Sequence, residues 1–190
     1  MTMTIRKQAN QAKRDIAAAT ALFGNPSRSD VVRELKLAGY KTLGRGCFAV
    51  ALAHPDHPDV VVKVGQRRIG RGRRQELSDR FPEYVEFLKD SGTRSKFALK
   101  VYHMEWLSGC GGGTYAAVVE RCKAGKGSAA HKAVTASGSV VKGYRWCSKD
   151  ASGHATRFIR RFAWMGKLDL HSGNVMLRPN GQAVITDPLC

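Results

Sequence analysis

Apolar positions recur along the chain with two periods. Ile5, Ala9, Ala12, Ile16, Ala19 and Leu22-Phe23 follow helical spacing over 4–23, and Gly24-Asn25-Pro26 breaks the run. A shorter helix is expected over Val31 to Leu37, capped by Ser29-Asp30 and closed by Gly39. Both helices precede the first strand and are expected to form a packing appendage, residues 1–37. The period then shortens. Tyr40 to Leu43, Val60-Val61-Val62-Lys63-Val64, Leu99 to Trp106 and Tyr115 to Val119 read as strands, separated by breakers such as His54-Pro55-Asp56-His57-Pro58 and Gly109 to Gly113. Pro82 opens a helix reaching Lys89, with Tyr84, Phe87 and Leu88 as its buried face.

Residues 125–153 are poor in apolar side chains. They are expected to be part loop and part short helix, with Tyr144 and Trp146 as packing anchors. A clearer helix follows over His154 to Met165. It has Asp150 or Ser152 as its cap, Phe158, Ile159, Phe162 and Met165 on one side, Arg157, Arg160 and Arg161 opposite, and Gly166 as its stop. Last come Val175-Met176-Leu177 and Ala183-Val184-Ile185, two β-rich runs around Pro179-Asn180-Gly181. Asn-Gly in that setting signals a hairpin.

Charge changes this picture more than composition does. At 190 residues, 43% hydrophobic and 25% charged, the chain is ordinary globular material, enough for one domain or one domain with two lobes. Its 32 Lys+Arg against 15 Asp+Glu leave a net charge of +17, which attracts polyanions: nucleotide phosphates, acidic protein surfaces and, non-specifically, nucleic acid. No helix-turn-helix, zinc or aromatic-rich strand signature supports base-specific recognition. The basic, glycine-rich run over 65–74 reads as a solvated loop or as a contact for an acidic or phosphate-bearing partner. Five scattered cysteines without a CxxC pair read as free thiols rather than a disulfide framework or zinc site. No apolar run approaches the roughly 18 residues of a membrane span, and Met1 to Arg14 lacks the apolar stretch of a secretory signal. A soluble intracellular chain is expected.

The chemistry is carried by a few polar residues. In Gly44-Arg45-Gly46-Cys47-Phe48-Ala49, two glycines would let backbone amides approach a phosphate, although a plain hairpin turn also accounts for them. Ala49 stands where a dinucleotide-binding fingerprint has its third glycine, and no helix follows, so that fold is disfavoured. Lys63 interrupts a β-branched run. It is either an edge-strand lysine facing water or one that reaches phosphates under the glycine loop. Glu76, Glu83 and Glu86 are its candidate partners and equally plain surface carboxylates. Where the strand over Tyr115 to Val119 runs into Glu120-Arg121-Cys122, backbone N–H and C=O groups are available to a purine edge. Further on, Asp169 precedes Asn174 by five residues and Asn174 precedes Asp187 by thirteen. Phosphoryl transfer needs a carboxylate to orient the attacking hydroxyl, and an Asn and a second Asp to hold metal against the nucleotide.

These residues resemble a known family. Asp169-Leu170-His171-Ser172-Gly173-Asn174 with Asp187 is similar to the catalytic loop and metal-binding Asp of protein-kinase-like enzymes. The D-x-H-x-G-N spelling occurs in atypical kinases and aminoglycoside-type phosphotransferases. Leu43-Gly44-x-Gly46-x-Phe48, His54-Pro55, Val62-Lys63-Val64-Gly65, Asp169-x-His171-Ser172-Gly173-Asn174-x-Met176 and Ile185-Thr186-Asp187-Pro188 together resemble the early serine/threonine protein kinases of short-tailed, self-transcribing bacteriophages. The similarity spans about 38–188, with a divergent middle.

The resemblance implies a two-lobed, protein-kinase-like α+β fold: an N-terminal helical extension (1–37), an antiparallel N-lobe sheet (38–120) and a reduced helical C-lobe (121–190). The sequence ends three residues past Asp187, hence the reduced form. It also implies binding of ATP and Mg²⁺. Gly44, Gly46, Phe48, Lys63, Glu120 and Cys122 would bind ATP, with Lys63 on the α/β-phosphates. Asp169 would orient the substrate hydroxyl or accept its proton, and His171 would sit near the γ-phosphate. Asn174 and Asp187 would hold the metal. Family members phosphorylate themselves and host bacterial proteins of transcription and RNA processing, early in infection, in the cytoplasm of the host. The alternative expectation is a kinase-derived binding module that inhibits host RNA polymerase, or engages another acidic partner, without turnover.

Overall fold

A side-chain hydroxyl starts each of the first two helices. Thr4 accepts from the Lys7 N–H at 3.4 Å and opens α1 (Ile5–Thr20), whose buried face includes Ala9, Ala12, Ile16 and Ala19. The second helix, α2 (Arg28–Leu37), begins from Ser27 and not from Ser29. Ser27 Oγ accepts from the Asp30 N–H and the Asp30 carboxylate accepts from the Ser27 N–H. That reciprocal box needs an acceptor three residues after the cap, and three residues after Ser29 stands Val32. The Ser27 hydroxyl also donates to Asp30 Oδ2 at 2.6 Å, and that bond first, then the one from the Ser27 N–H, holds the Asp30 carboxyl below its usual range.

The computed structural model describes residues 3–69, 77–108, 113–171 and 173–190. Glu76, Cys110 and Ser172, much of the basic run over 65–74, and most of the turn over 109–113 lie outside the described residues. The chain divides into two compact units: Met1–Asp79 with Lys100–Arg121, and Arg80–Leu99 with Cys122–Cys190. Residues 1–37 therefore share a unit with the first strands, and 80–99 group with the second unit.

In the first unit, β1 (Lys41–Arg45), β2 (Ala49–Ala53) and β3 (Val60–Gln66) are followed by a two-stranded ribbon of β4 (Arg68–Ile69) and β5 (Leu77–Ser78). Together with β6 (Val101–Trp106) and β7 (Thr114–Glu120) they make a five-stranded antiparallel sheet in the order β1-β2-β3-β7-β6. Val50, Leu52, Val60, Val62, Val64, Ala116 and Val118 form one core with Ala12, Ile16, Val31 and Leu35 of the helices. The helices pack as their periodic apolar faces suggest, and they supply the cover for one sheet face. Side chains alternate across a strand, so Lys63 and Gly65 belong to the opposite face. Because β3 is the central strand, Lys63 is not an edge lysine.

Polar contacts fix α1 to the turn between β2 and β3. Gln8 Nε2 donates to Asp59 at 2.8 Å and accepts from the Asp59 N–H through its oxygen at 2.9 Å. Tyr40 donates to Asp15 at 2.7 Å, and His57 Nε2 lies 3.4 Å from the same carboxylate. Burial, then Asp15, pushes the Tyr40 phenol above its ordinary range, so it remains a donor.

The second unit holds α3 (Phe81–Asp90), β8 (Lys123–Ala124), α4 (Ala129–Val141), α5 (Gly153–Arg160), β9 (Val175–Leu177) and β10 (Ala183–Ile185). The last two strands and β8 form an antiparallel sheet ordered β10-β9-β8. Tyr84, Phe87, Phe158 and Phe162 pack with ring centroids 5.3–6.4 Å apart. Tyr84 is fully buried, Phe87 and Leu88 only partly.

The stretch read as part loop and part short helix holds a thirteen-residue helix, α4, whose buried positions are His131, Val134, Ser137 and Gly138. Small and polar residues on its inner face conceal the period. A Cβ on Gly138 would stand 2.5 Å from Leu170 Cδ1. Tyr144 and Trp146, expected as anchors, are 52% and 76% exposed, and Cys147 is the buried residue beside them. The helix expected up to Met165 ends at Arg160 and continues as a 3₁₀ turn over Ala163–Met165, leaving Met165 half-buried.

The β9–β10 hairpin forms, with a different turn from the one Asn-Gly suggests. Gly181 N–H donates to Arg178 O and Arg178 N–H to Gln182 O, both at 2.9 Å. Pro179 and Asn180 occupy the central positions, and Gly181, at φ +82°, takes the left-handed residue after them. No described helix is long and apolar enough to cross a membrane.

Packing of β3 generates a stability prediction. A Cβ on Gly65 would lie 2.2 Å from Tyr115 Cζ, and that ring is fully buried and donates to buried Asp79 at 2.5 Å. Gly65→Ala is expected to cost about 1–3 kcal/mol, whereas Gly44→Ala, whose Cβ meets nothing within 4 Å, should stay within about 0.5 kcal/mol. Urea denaturation of both variants checks this; equal midpoints would contradict it.

Candidate active site

The glycine run of the first unit is the tip of the β1–β2 hairpin. Gly44 pairs with Ala51 and Arg45 with Val50, and the Gly46 N–H donates to Ala49 O at 2.8 Å. Neither Gly44 nor Gly46 has a positive φ. A Cβ on Gly46 would come no nearer than 3.7 Å to any described atom, the Ala49 oxygen. Nothing in the described fold requires glycine at either place. Phe48 is half-buried, and its carbonyl accepts from the Gln66 N–H at 3.0 Å. Arg28, which no motif marks, donates to the carbonyls of Cys47 and Phe48 at 3.1 and 2.7 Å.

Lys63 stands between Ala51 on β2 and Ala117 on β7. Two methyl side chains flank its stem, and the next residue of β7 on that face is Tyr115, beside Gly65. Of its candidate partners, Glu83 pairs with Arg80 at 3.5 Å and Glu86 is exposed. The Glu120 N–H donates to Lys100 O at 3.0 Å, and its carboxylate accepts from the Lys100 N–H at 2.8 Å. The Glu120 amide is therefore committed within the first unit. Cys122, half-buried and not in a disulfide, belongs to the second.

In the second unit, backbone pairing brings the carboxylates and the carboxamide together. Lys167 and Cys190 exchange N–H···O bonds at 3.2 and 3.0 Å, and the Asp169 N–H donates to Pro188 O at 2.7 Å. The Thr186 N–H donates to Asn174 O at 2.9 Å, so the residue before Asp187 abuts Asn174. Asn174 Nδ2 donates twice to Asp169, to its carbonyl at 2.8 Å and to Oδ2 at 3.2 Å. The free end of each side chain is thereby defined: Asn174 presents its amide oxygen, and Asp169, 40% exposed, presents Oδ1.

His171 folds back on its own loop. The Gly173 N–H donates to Nδ1 at 3.0 Å, which leaves the proton of the neutral ring on Nε2, 3.5 Å from Asp169 Oδ2. Gly173 permits this, since a Cβ there would lie 2.9 Å from His171 Cε1. The motif's glycine thus serves its histidine.

Asp187 is half-buried, with Oδ1 shielded from solvent. Burial first, and then the Asp187 charge, pushes the Tyr84 phenol well above its ordinary range, so it donates to Ile185 O at 3.1 Å. Partial burial, then Asp169, also raises the Cys190 thiol, and Asp187 acts in the same direction. Both carboxylates therefore act on one neighbourhood.

Among the described residues, no group of three or more His, Cys, Asp and Glu could hold a metal by itself. The donors at hand are the Asn174 oxygen and the Asp187 carboxylate. Two hard oxygen ligands, with phosphate and water completing the shell, fit Mg²⁺ delivered with a nucleotide rather than a cation held by protein alone.

No protein-family model matches the chain, and no curated protein matches it. What stands is a mixed α+β protein with a five-stranded antiparallel sheet, a small three-stranded sheet and several helices.

The His171–Gly173 contact generates a second prediction. In Gly173→Ala, the ring, with its side chain 58% exposed, should swing away at a stability cost below about 1 kcal/mol. ¹⁵N spectra of the imidazole should then lose the signature of the Nε2–H tautomer expected of the wild type. An unchanged spectrum would remove this account of Gly173.

Proposed function

We propose that the chain is an ATP-dependent phosphotransferase of the protein-kinase type, acting on Ser/Thr hydroxyls of proteins, and that its two units correspond to the two lobes of a kinase-like fold. The observation that carries this reading is the double hydrogen bond from Asn174 Nδ2 to Asp169, which leaves one oxygen of each residue free. Two glycines without a packing reason and a central-strand lysine flanked by alanines agree with it.

In the proposed reaction, Asp169 Oδ1 accepts the hydrogen of the substrate hydroxyl and aims its oxygen at the γ-phosphorus. The new P–O bond forms as the bond to the β-phosphate oxygen breaks, ADP leaves with that electron pair, and the proton passes to Asp169. His171 and Asn174 hold Oδ2, so the reacting oxygen does not rotate away. Lys63 is assigned to the α/β-phosphates and the Gly44–Ala49 hairpin to covering them. Bound Mg²⁺ would neutralise phosphate charge, with Asn174 and Asp187 as its protein ligands.

The resemblance of the motifs extends the proposal to a bacteriophage enzyme. Its substrates would be itself and host proteins of transcription and RNA processing, including RNA polymerase, in the cytoplasm of the infected bacterium. The +17 charge favours a second reading, in which the chain engages an acidic partner without turnover.

Transfer of radiolabelled γ-phosphate to the chain itself and to host extract separates the two. Asp169→Ala is expected to reduce transfer about 10²–10⁴-fold, with Asp187→Ala at least as damaging. Transfer that survives both substitutions rules out these roles. Inhibition of host transcription by Asp169→Ala at wild-type strength supports the second reading.

A further inference from the structure

We propose that Arg28 is a positioning residue for the glycine hairpin, turning its tip toward phosphate; this rests on the nucleotide reading above. Arg28 is the first residue of α2, and its Nη1 donates to two consecutive carbonyls at the hairpin tip, Cys47 O at 3.1 Å and Phe48 O at 2.7 Å. A cation at a helix N-terminus opposes the helix dipole. Helix formation is therefore no reason for Arg at this place, whereas Asp30 in the same turn satisfies the dipole and the cap.

Apart from Arg28, backbone bonds hold the tip at Phe48 O, from the Gln66 N–H at 3.0 Å, and between the Gly46 N–H and Ala49 O at 2.8 Å, and neither reaches Cys47 O. Gly44, Gly46 and Cys47 are exposed, and the glycines contribute no side chain to packing. The described peptide bonds are all trans, and in a trans peptide the C=O and N–H point in opposite directions. With Cys47 O drawn onto Arg28, the Phe48 N–H faces away from the guanidinium. The Gly46 N–H is already spent on Ala49 O. Arg28 therefore selects the Phe48 N–H as a donor that the hairpin offers to an anion.

Carbonyl oxygens at the tip would repel a triphosphate. Drawing them to a permanent cation removes that repulsion and leaves positive charge beside the loop. The consequence is specific to ligands carrying phosphates and independent of the base and sugar.

The test uses the full chain and four proteins: wild type, Arg28→Ala, Arg28→Lys and Arg33→Ala. Arg33 is the control, since it lies on the same helix and its described contacts are with Asp30 and Glu34, at 3.4 and 3.1 Å, and the Phe23 ring, away from the hairpin. Binding of MgATP and of adenosine is measured, with KM and kcat for phosphate transfer. Arg28→Ala is expected to weaken MgATP binding and raise its KM roughly tenfold, with adenosine binding unchanged within about twofold. The change in kcat should be smaller than that in KM. Arg28→Lys should recover part of the loss, because an ammonium supplies charge and donors, and Arg33→Ala should match wild type. Wild-type ATP affinity in Arg28→Ala, or equal losses for ATP and adenosine, overturns the assignment of Arg28 alone. A wild-type chain that binds adenosine and ATP equally, or neither, overturns the nucleotide reading and the Arg28 role with it.

Discussion

The carboxamide of Asn174 is where the second unit's polar chemistry converges. A hydrogen bond at a partly exposed site contributes only about 1 kcal/mol, so its importance is geometric. Its donor is spent on Asp169, which turns its oxygen outward and removes rotational freedom from the carboxylate. Asn174 is itself held by main chain: its N–H donates to His171 O at 3.0 Å, and its carbonyl accepts from Thr186. The pairing of Lys167 with Cys190 and of Asp169 with Pro188 then closes the segment onto the stretch after β10 that carries Asp187. Spacings of five and thirteen residues become one polar locus because backbone hydrogen bonds, not side-chain packing, set the register.

The first unit solves a different problem, keeping a charged side chain in the middle of a sheet. Helices α1 and α2 take the valine face of β3, which leaves Lys63 on the face they do not cover. Ala51 and Ala117 stand beside it, and Tyr115 lies against Gly65 two residues further on. With its edge positions filled by β1 and β6, the sheet can hold a lysine centrally only if the ammonium has company. This strand position therefore makes a demand of its surroundings that an edge lysine would not.

Strongly periodic segments were legible in the sequence. The β-branched run at 60–64, the apolar face of 5–20 and the 175–185 hairpin need no tertiary information, because period and turn residues suffice. What escaped depended on partners distant in sequence. Gly138 and Ser137 form a buried helix face only because Leu170 and Ser152 fit against them. Tyr144 and Trp146 read as anchors by size, yet the 3₁₀ turn at Arg145–Asp150 buries Cys147 instead. The cap at Ser27 was available to a stricter reading, since the acceptor three residues on is Asp30. Whether Lys63 lay at an edge depended on strand order, which local pattern does not encode. Asp169, Asn174 and Asp187 stood out by spacing, but the tautomer of His171 and the reach of Arg28 needed coordinates.

The glycines show how a motif can be weighed once contacts are known. Gly65, Gly138 and Gly173 each have a neighbour that a methyl group would strike, so their smallness is accounted for within the chain. Gly181 is accounted for by its backbone, at φ +82°. Gly44 and Gly46 have neither excuse, yet glycine in a strand sacrifices packing and chain entropy. Under the proposed reading, a residue type that the described contacts do not need, placed at an exposed hairpin tip whose carbonyls are drawn onto an arginine, lets a ligand approach the backbone from outside. Arg28, Lys63 and the net charge of +17 all favour an anion in that role. The glycine hairpin was the weakest of the sequence motifs taken alone; the absence of an internal reason for its two glycines is what gives it weight.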